Sequence, residues 1–196
     1  MIKKIRLIAM GSSTGGVEAL AAILPKLRPP LPPIVIVQHI PAGFSKMFAD
    51  RMNKECYLTV KEGEDGEIIK KSHAYIAPGG VHMKLVRFNN DLKIKCFMAP
   101  PVHSCRPAVD ILFYSVAELV GNEALGVILT GIGHDGAAGL LEMKKKGAVT
   151  LGQDEASSAV YGMPRSAFEC GAVMRQVALA GMPLAISSIA NKFRDD

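Results

Sequence analysis

Ile5 to Met10, Ile34 to Gln38 and Leu125 to Thr130 are short, nearly continuous apolar runs rich in Ile, Val and Leu. Strands covered on both faces of a parallel sheet read this way, whereas a strand with one wet face alternates apolar and polar positions. Between and after these runs the apolar residues fall at helical spacing: Val17 to Leu27, Ala108 to Val120, and Gly136 to Lys146, with Gly147 placed as a stop. Strand, helix, strand alternation predicts an α/β fold, a doubly wound, mostly parallel sheet flanked by helices with the three apolar strands at its centre.

The middle of the chain breaks this rhythm. Ala74 to Ala77, Val81 to Arg87 and Leu92 to Phe97 have strand character and are joined by Pro78-Gly79-Gly80 and Asn89-Asn90-Asp91. Such turn residues predict an antiparallel hairpin, set as an appendage near one edge of the sheet. Ala148 to Leu151 reads as a further strand, followed by a loop and a helix. The apolar stretch Val177 to Ala190 is interrupted by Gly181 and Pro183 and falls short of the roughly 20 residues a bilayer span needs, so it reads as core.

Composition narrows the picture. With 196 residues and 49% hydrophobic content the chain can bury a substantial core, and its 19 glycines and 12 prolines are scattered, so residues 1–196 read as a single catalytic-sized domain without linker or repeat. The net charge of +5 invites a nucleic-acid reading, but the basic residues are dispersed and the one tight run, Lys144 to Lys146, closes a helix, where cations complement the dipole. A basic surface equally steers a protein toward an acidic partner. Lys3, Lys4 and Arg6 precede an apolar run that meets glycines before it could form a signal-peptide core, which points to the cytoplasm. Cys56, Cys96, Cys105 and Cys170 lack the close pairs of zinc or redox motifs and read as reduced thiols. Cys105 and His103, two residues apart, make a poor nucleophile and base.

Three strand ends carry candidate chemistry. Gly11-Ser12-Ser13-Thr14-Gly15 fits G-x-S-x-G directly after a buried strand and directly before a helix, so the central Ser13 hydroxyl would project from a tight turn beside a helix amino terminus. The motif alone divides evenly between a nucleophile and a phosphate cradle, although it lacks the Gly-Lys-Ser/Thr ending of a P-loop and the spacing of G-x-G-x-x-G. A serine needs a base, and of five histidines His39 ends a buried strand, at the sheet edge from which Ser13 emerges. Asp135, after Leu125 to Thr130, leaves a third strand at the same edge; by itself it could merely cap the next helix. Three reactive groups at the carboxyl edge of a parallel sheet, where open α/β sheets bind ligands, point to a Ser-His-Asp triad. The chain order Ser, His, Asp differs from that of α/β-hydrolases.

These residues resemble the catalytic domain of the chemotaxis methylesterase family CheB. The resemblance rests on Gly11 to Gly16, Gln38-His39-Ile40-Pro41, Arg106-Pro107-Ala108-Val109-Asp110, Leu129 to Gly136 and Val160-Tyr161-Gly162-Met163-Pro164, which cover nearly the whole chain in order. It implies a serine esterase that demethylates glutamate methyl esters on chemoreceptors, with release of methanol, and also deamidates receptor glutamines, in the service of chemotactic adaptation. Ser13 would be the nucleophile, His39 the general base and Asp135 the orienting acid. Thr14 would stand as the active-site threonine, and the amides of His39 and Ile132 would hold the oxyanion. The implied partners are methylated chemoreceptor helices and a receiver domain, which this chain does not carry; the domain itself is expected to act as a monomer. Two readings stand beside it: a phosphate- or nucleotide-binding module built on Gly11 to Gly16, and a small-molecule carboxylesterase.

Overall fold

The computed structural model describes residues 4–191, so Lys3 lies outside it. Four consecutive residues of the first strand show how the sheet is built: Leu7, Ile8, Ala9 and Met10 are all fully buried. Ile8 and Met10 face one apolar core and Leu7 and Ala9 face another, because successive side chains in a strand point to opposite sides. A continuous apolar run is therefore what a strand between two helical layers requires.

Strand β1 (Leu7–Ser12) pairs in parallel with β2 (Ile34–Gln38) and β7 (Ala124–Ile128). Around them lie β3 (Thr59–Glu62), β4 (His73–Ile76), β8 (Val149–Gln153) and β9 (Arg175–Val177), in the order β3-β4-β2-β1-β7-β8-β9, every pairing parallel. The expected three central strands are β2, β1 and β7. The chain winds outward from β1 through β2, then returns to add β7 on the other side, so the switch in winding direction falls between β1 and β7.

One core packs α1 (Gly16–Ile23), α2 (Phe44–Glu55) and α6 (Met182–Asn191) on the sheet through Leu20, Phe48, Met52 and Ile186. The other packs α3 (Val109–Leu119), α4 (Ala137–Lys145) and α5 (Met163–Glu169) through Phe113, Leu140 and Met163. Among the described residues, no helix is long and apolar enough to cross a membrane.

The antiparallel hairpin forms from β5 (His82–Phe88) and β6 (Asp91–Phe97), and Asn89 turns it with a φ of 54°. It is a separate two-stranded sheet rather than an extension of the main one. Met83, Leu85 and Ile94 seat it on the second core, and the Leu85 amide donates to Ser115 Oγ at 3.0 Å. Ala74 to Ala77, read as a neighbour of this hairpin, instead supplies β4 of the parallel sheet. Pro78-Gly79-Gly80 is thus a crossover between sheets and not a hairpin turn.

Candidate active site

Ser13, His39 and Asp135 all follow strands at the carboxyl edge of β1, β2 and β7; His39 and Asp135 are bonded to each other, whereas the Ser13 hydroxyl makes no hydrogen bond to either and lies on the neighbouring strand end. The register that pairs Ser12 with Gln38 puts Ser13 and His39 one step beyond the last paired residues of neighbouring strands. Backbone bonds fix Ser13 on three sides: its amide donates to Thr130 O at 3.0 Å, and its carbonyl accepts from the Gly16 amide at 2.8 Å and from Gln38 Nε2 at 2.8 Å. Gly15 allows the turn by adopting φ 77°, and Gly16 allows the close approach, since a Cβ there would lie 2.1 Å from Gln38 Oε1. The Ser13 side chain is half-buried and Thr14 is exposed, beside it on the turn.

Gln38 is a buried polar residue whose bonding the sequence did not announce. Its Oε1 accepts from the buried Ser12 hydroxyl at 2.6 Å, while its Nε2 donates to the carbonyls of Ser13 and, at 3.0 Å, of His39. One buried amide thereby ties the two chemical strand ends together. Its signal was a polar residue closing an otherwise apolar strand.

Asp135 does not cap α4, whose first turn follows Gly136 without a side-chain cap. It reaches across to α3, where Oδ2 accepts from the Val109 amide at 2.7 Å and Oδ1 from the Asp110 amide at 3.0 Å. Asp110 in turn accepts from the Gly139 amide of α4 at 2.7 Å. Each helix thus offers a carboxylate to the amino-terminal amides of the other, a favourable placement for negative charge. Burial alone would push the Asp135 carboxyl up; the bonds from His39, Asp110 and Val109 outweigh it and hold the group below its ordinary value, ionised. Asp110, with fewer such bonds against burial and the nearby Asp135 charge, is held above its ordinary value.

His39 Nε2 lies 2.7 Å from Asp135 Oδ2. An ionised carboxylate only accepts, so Nε2 carries the hydrogen and Nδ1 holds the free lone pair. Nδ1 is therefore the basic atom of this imidazole. Cys105 Sγ stands 3.4 Å from it, and burial together with the Asp135 charge raises the thiol above its ordinary value. His103, the neighbour considered for Cys105, turns away: its Nε2 lies 3.0 Å from Asp110 Oδ2 and its Nδ1 3.0 Å from His134 Nε2.

The loop after β7 forms the far wall. Gly131 is clamped by Val160 to Met163, its amide donating to Val160 O and its carbonyl accepting from the amides of Gly162 and Met163. It sits so close to Ser13 that an added Cβ would lie 2.7 Å from the serine Cβ. Beyond it Ile132 is 65% exposed, so its side chain is free to meet a substrate. Its amide has no acceptor among the described residues, as an oxyanion donor requires. The expectation for the His39 amide is corrected: it donates to Ser12 O at 3.0 Å and is consumed by the sheet edge.

The family model described as CheB methylesterase matches residues 8–186. A protein-glutamate methylesterase/protein-glutamine glutaminase of Yersinia pestis bv. Antiqua is 52% identical over 173 residues, which are 88% of this chain and 50% of that protein. One of Caulobacter vibrioides is 52% identical over 189 residues, 96% of this chain and 55% of that protein. The chain thus spans about half the length of the curated relatives it matches. The crystal structure of the Thermotoga maritima CheB methylesterase catalytic domain superposes with a TM-score of 0.92 at 36% identity, covering 95% of this chain and all of that one. Taken with the strand-end geometry, these likenesses show that the chain belongs to the CheB methylesterase family.

Proposed function

We propose that this domain is a serine esterase acting on glutamate methyl esters of chemoreceptor helices, with Ser13 as nucleophile, His39 as general base and Asp135 as the acid that orients it. The observation that carries the reading is the His39 Nε2 to Asp135 Oδ2 bond of 2.7 Å at a strand end adjoining the Ser13 turn. In the reaction Ser13 Oγ attacks the ester carbonyl carbon while its proton passes to His39 Nδ1. The imidazolium then returns that proton to the departing methoxide, and methanol leaves. A water, deprotonated by the same nitrogen, cleaves the acyl-serine and releases the glutamate side chain. The Ile132 amide is the oxyanion donor in this scheme, and Thr14 borders the substrate at the turn. Receptor glutamine enters the same sequence with ammonia as the leaving group. No cofactor takes part.

The name of the relatives, protein-glutamate methylesterase/protein-glutamine glutaminase, supports this substrate class. A receiver domain is the regulatory partner we assign to it, and cytoplasmic receptor helices rich in acidic residues suit the chain's net charge of +5. A fluorophosphonate probe is expected to label Ser13 in a single stoichiometric adduct, located by peptide mass spectrometry. A phosphate-binding module would leave the serine unmodified.

Gln38 acts as a positioning residue through the two carbonyls it holds. Gln38→Ala is expected to lower kcat by roughly 10- to 100-fold, the scale on which a misplacement of about 1 Å acts, with KM little changed. Gln38→Glu, which keeps the acceptor for Ser12 and loses the donor to Ser13 and His39, should be equally impaired. A variant that merely loosened the fold would instead lower the active fraction and leave kcat per folded molecule intact.

A further inference from the structure

Three imidazoles, His39, His103 and His134, together with the Cys105 thiol and Asp135, line a cavity of about 210 Å³. Thiol and imidazole are the donors that select borderline-soft divalent cations. The Cys105 Sγ to His39 Nδ1 separation of 3.4 Å is close to the roughly 3.6 Å between sulfur and nitrogen ligands of one tetrahedral zinc, given bonds of about 2.3 and 2.0–2.1 Å. Asp135 is the third member of this trio, whose donor atoms all lie within 4.8 Å of one another, and its Oδ2 holds the other ring nitrogen of His39, Nε2. A second observation has the same meaning. His39 gives Nε2 to the buried Asp135 carboxylate, which leaves Nδ1 facing Cys105 Sγ; metal-ligating histidines are held by such carboxylates from behind.

We propose that this cavity is a binding site for a zinc-class divalent cation, ligated by Cys105 Sγ and His39 Nδ1 with Asp135 behind the ring, and that the bound ion switches ester hydrolysis off. Binding converts the thiol to a metal-bound thiolate and releases its proton to solvent, with no change of oxidation state. The ion then occupies the lone pair that would accept the Ser13 proton. Binding rests on the geometry alone, whereas the loss of hydrolysis rests on the reading of His39 as the base. The ligands come from the end of β2 and the segment before α3, 66 positions apart, which is why the spacing of the cysteines conceals the site.

The test titrates metal-free protein with Cd²⁺, whose thiolate complexes absorb in the ultraviolet, and with Zn²⁺ in competition with a chromophoric chelator. Hydrolysis of p-nitrophenyl acetate is followed in parallel. Wild type is expected to bind one equivalent with a thiolate band and to lose hydrolysis in step, with recovery on addition of EDTA. Cys105→Ala should lose the band and at least the roughly 10- to 100-fold in affinity that loss of a supporting group costs. It should also keep its own metal-free rate at Zn²⁺ concentrations that silence wild type. Cys105→Ser, which preserves the size of the side chain, should behave likewise, and Cys170→Ala should retain the band. A band that survives in both Cys105 variants, or a stoichiometric ion that leaves wild-type hydrolysis unchanged, overturns the proposal. A metal-free wild type that hydrolyses nothing counts against the esterase reading, and the thiolate band then decides the metal site by itself.

Discussion

Replacing Ser13 with alanine is expected to lower hydrolysis of p-nitrophenyl acetate by roughly 10⁴- to 10⁶-fold, the range seen when a triad nucleophile is removed, while leaving the protein folded. The two halves of this expectation have separate causes. The hydroxyl is the atom that bonds to carbon, so without it only oxyanion and binding contributions remain. The fold, in contrast, uses the backbone of Ser13: its amide on Thr130 and its carbonyl under Gly16 and Gln38. Alanine keeps all of these, so thermal unfolding should change by no more than about 1 kcal/mol. A large loss of stability would mean that the hydroxyl has a structural bond that the geometry does not contain.

Asp135→Asn is the second large effect, roughly 10⁴-fold in kcat. The carboxylate makes Nε2 the protonated nitrogen and leaves Nδ1 basic; an amide of the same shape can present its NH₂ to the ring and invert that tautomer. Here the substitution also costs stability, because Oδ1 and Oδ2 accept from the amides of Asp110 and Val109 as well as from His39. An NH₂ group at either position meets a donor, and a buried unpaired donor costs about 1–3 kcal/mol. Asp135→Asn should therefore lower both kcat and the unfolding midpoint, in contrast to Ser13→Ala, which moves kcat alone. Circular dichroism melts beside steady-state kinetics separate the two patterns.

The candidate residues could be placed from sequence because they follow strands where a parallel sheet is most regular. Ile34 to Gln38 forms β2 at the bounds the apolar run suggests, and His39 follows it. β1 runs two residues further than its apolar stretch, through Gly11 and Ser12, since pairing with both neighbours carries the strand on after the hydrophobic residues end. Gly11 is needed there: a Cβ would lie 2.3 Å from Val109 of α3. Helix α2 was not anticipated although its buried residues, Ser45, Phe48, Ala49 and Met52, recur at helical spacing; a serine at the first of them broke the apolar stripe.

What sequence could not supply was contact across distance. The exchange of carboxylates joins Asp110 and Asp135 across the amino-terminal ends of α3 and α4, a contact between segments about 25 positions apart that neither segment announces by itself. The pairing of Cys105 with His39 spans 66 positions and displaced the local pairing with His103. The orientation of the imidazole, with Nε2 toward the acid, depends on which face of His39 meets α3, and local sequence carries no trace of that.

The most direct test of the account is methanol release from a methylated chemoreceptor cytoplasmic fragment by the wild-type chain beside Ser13→Ala. Time-dependent methanol from wild type and none above background from the folded variant is the predicted result. Methanol release that survives in Ser13→Ala, or a folded and fluorophosphonate-reactive wild type that releases none, would contradict the assignment of this site to glutamate methyl esters.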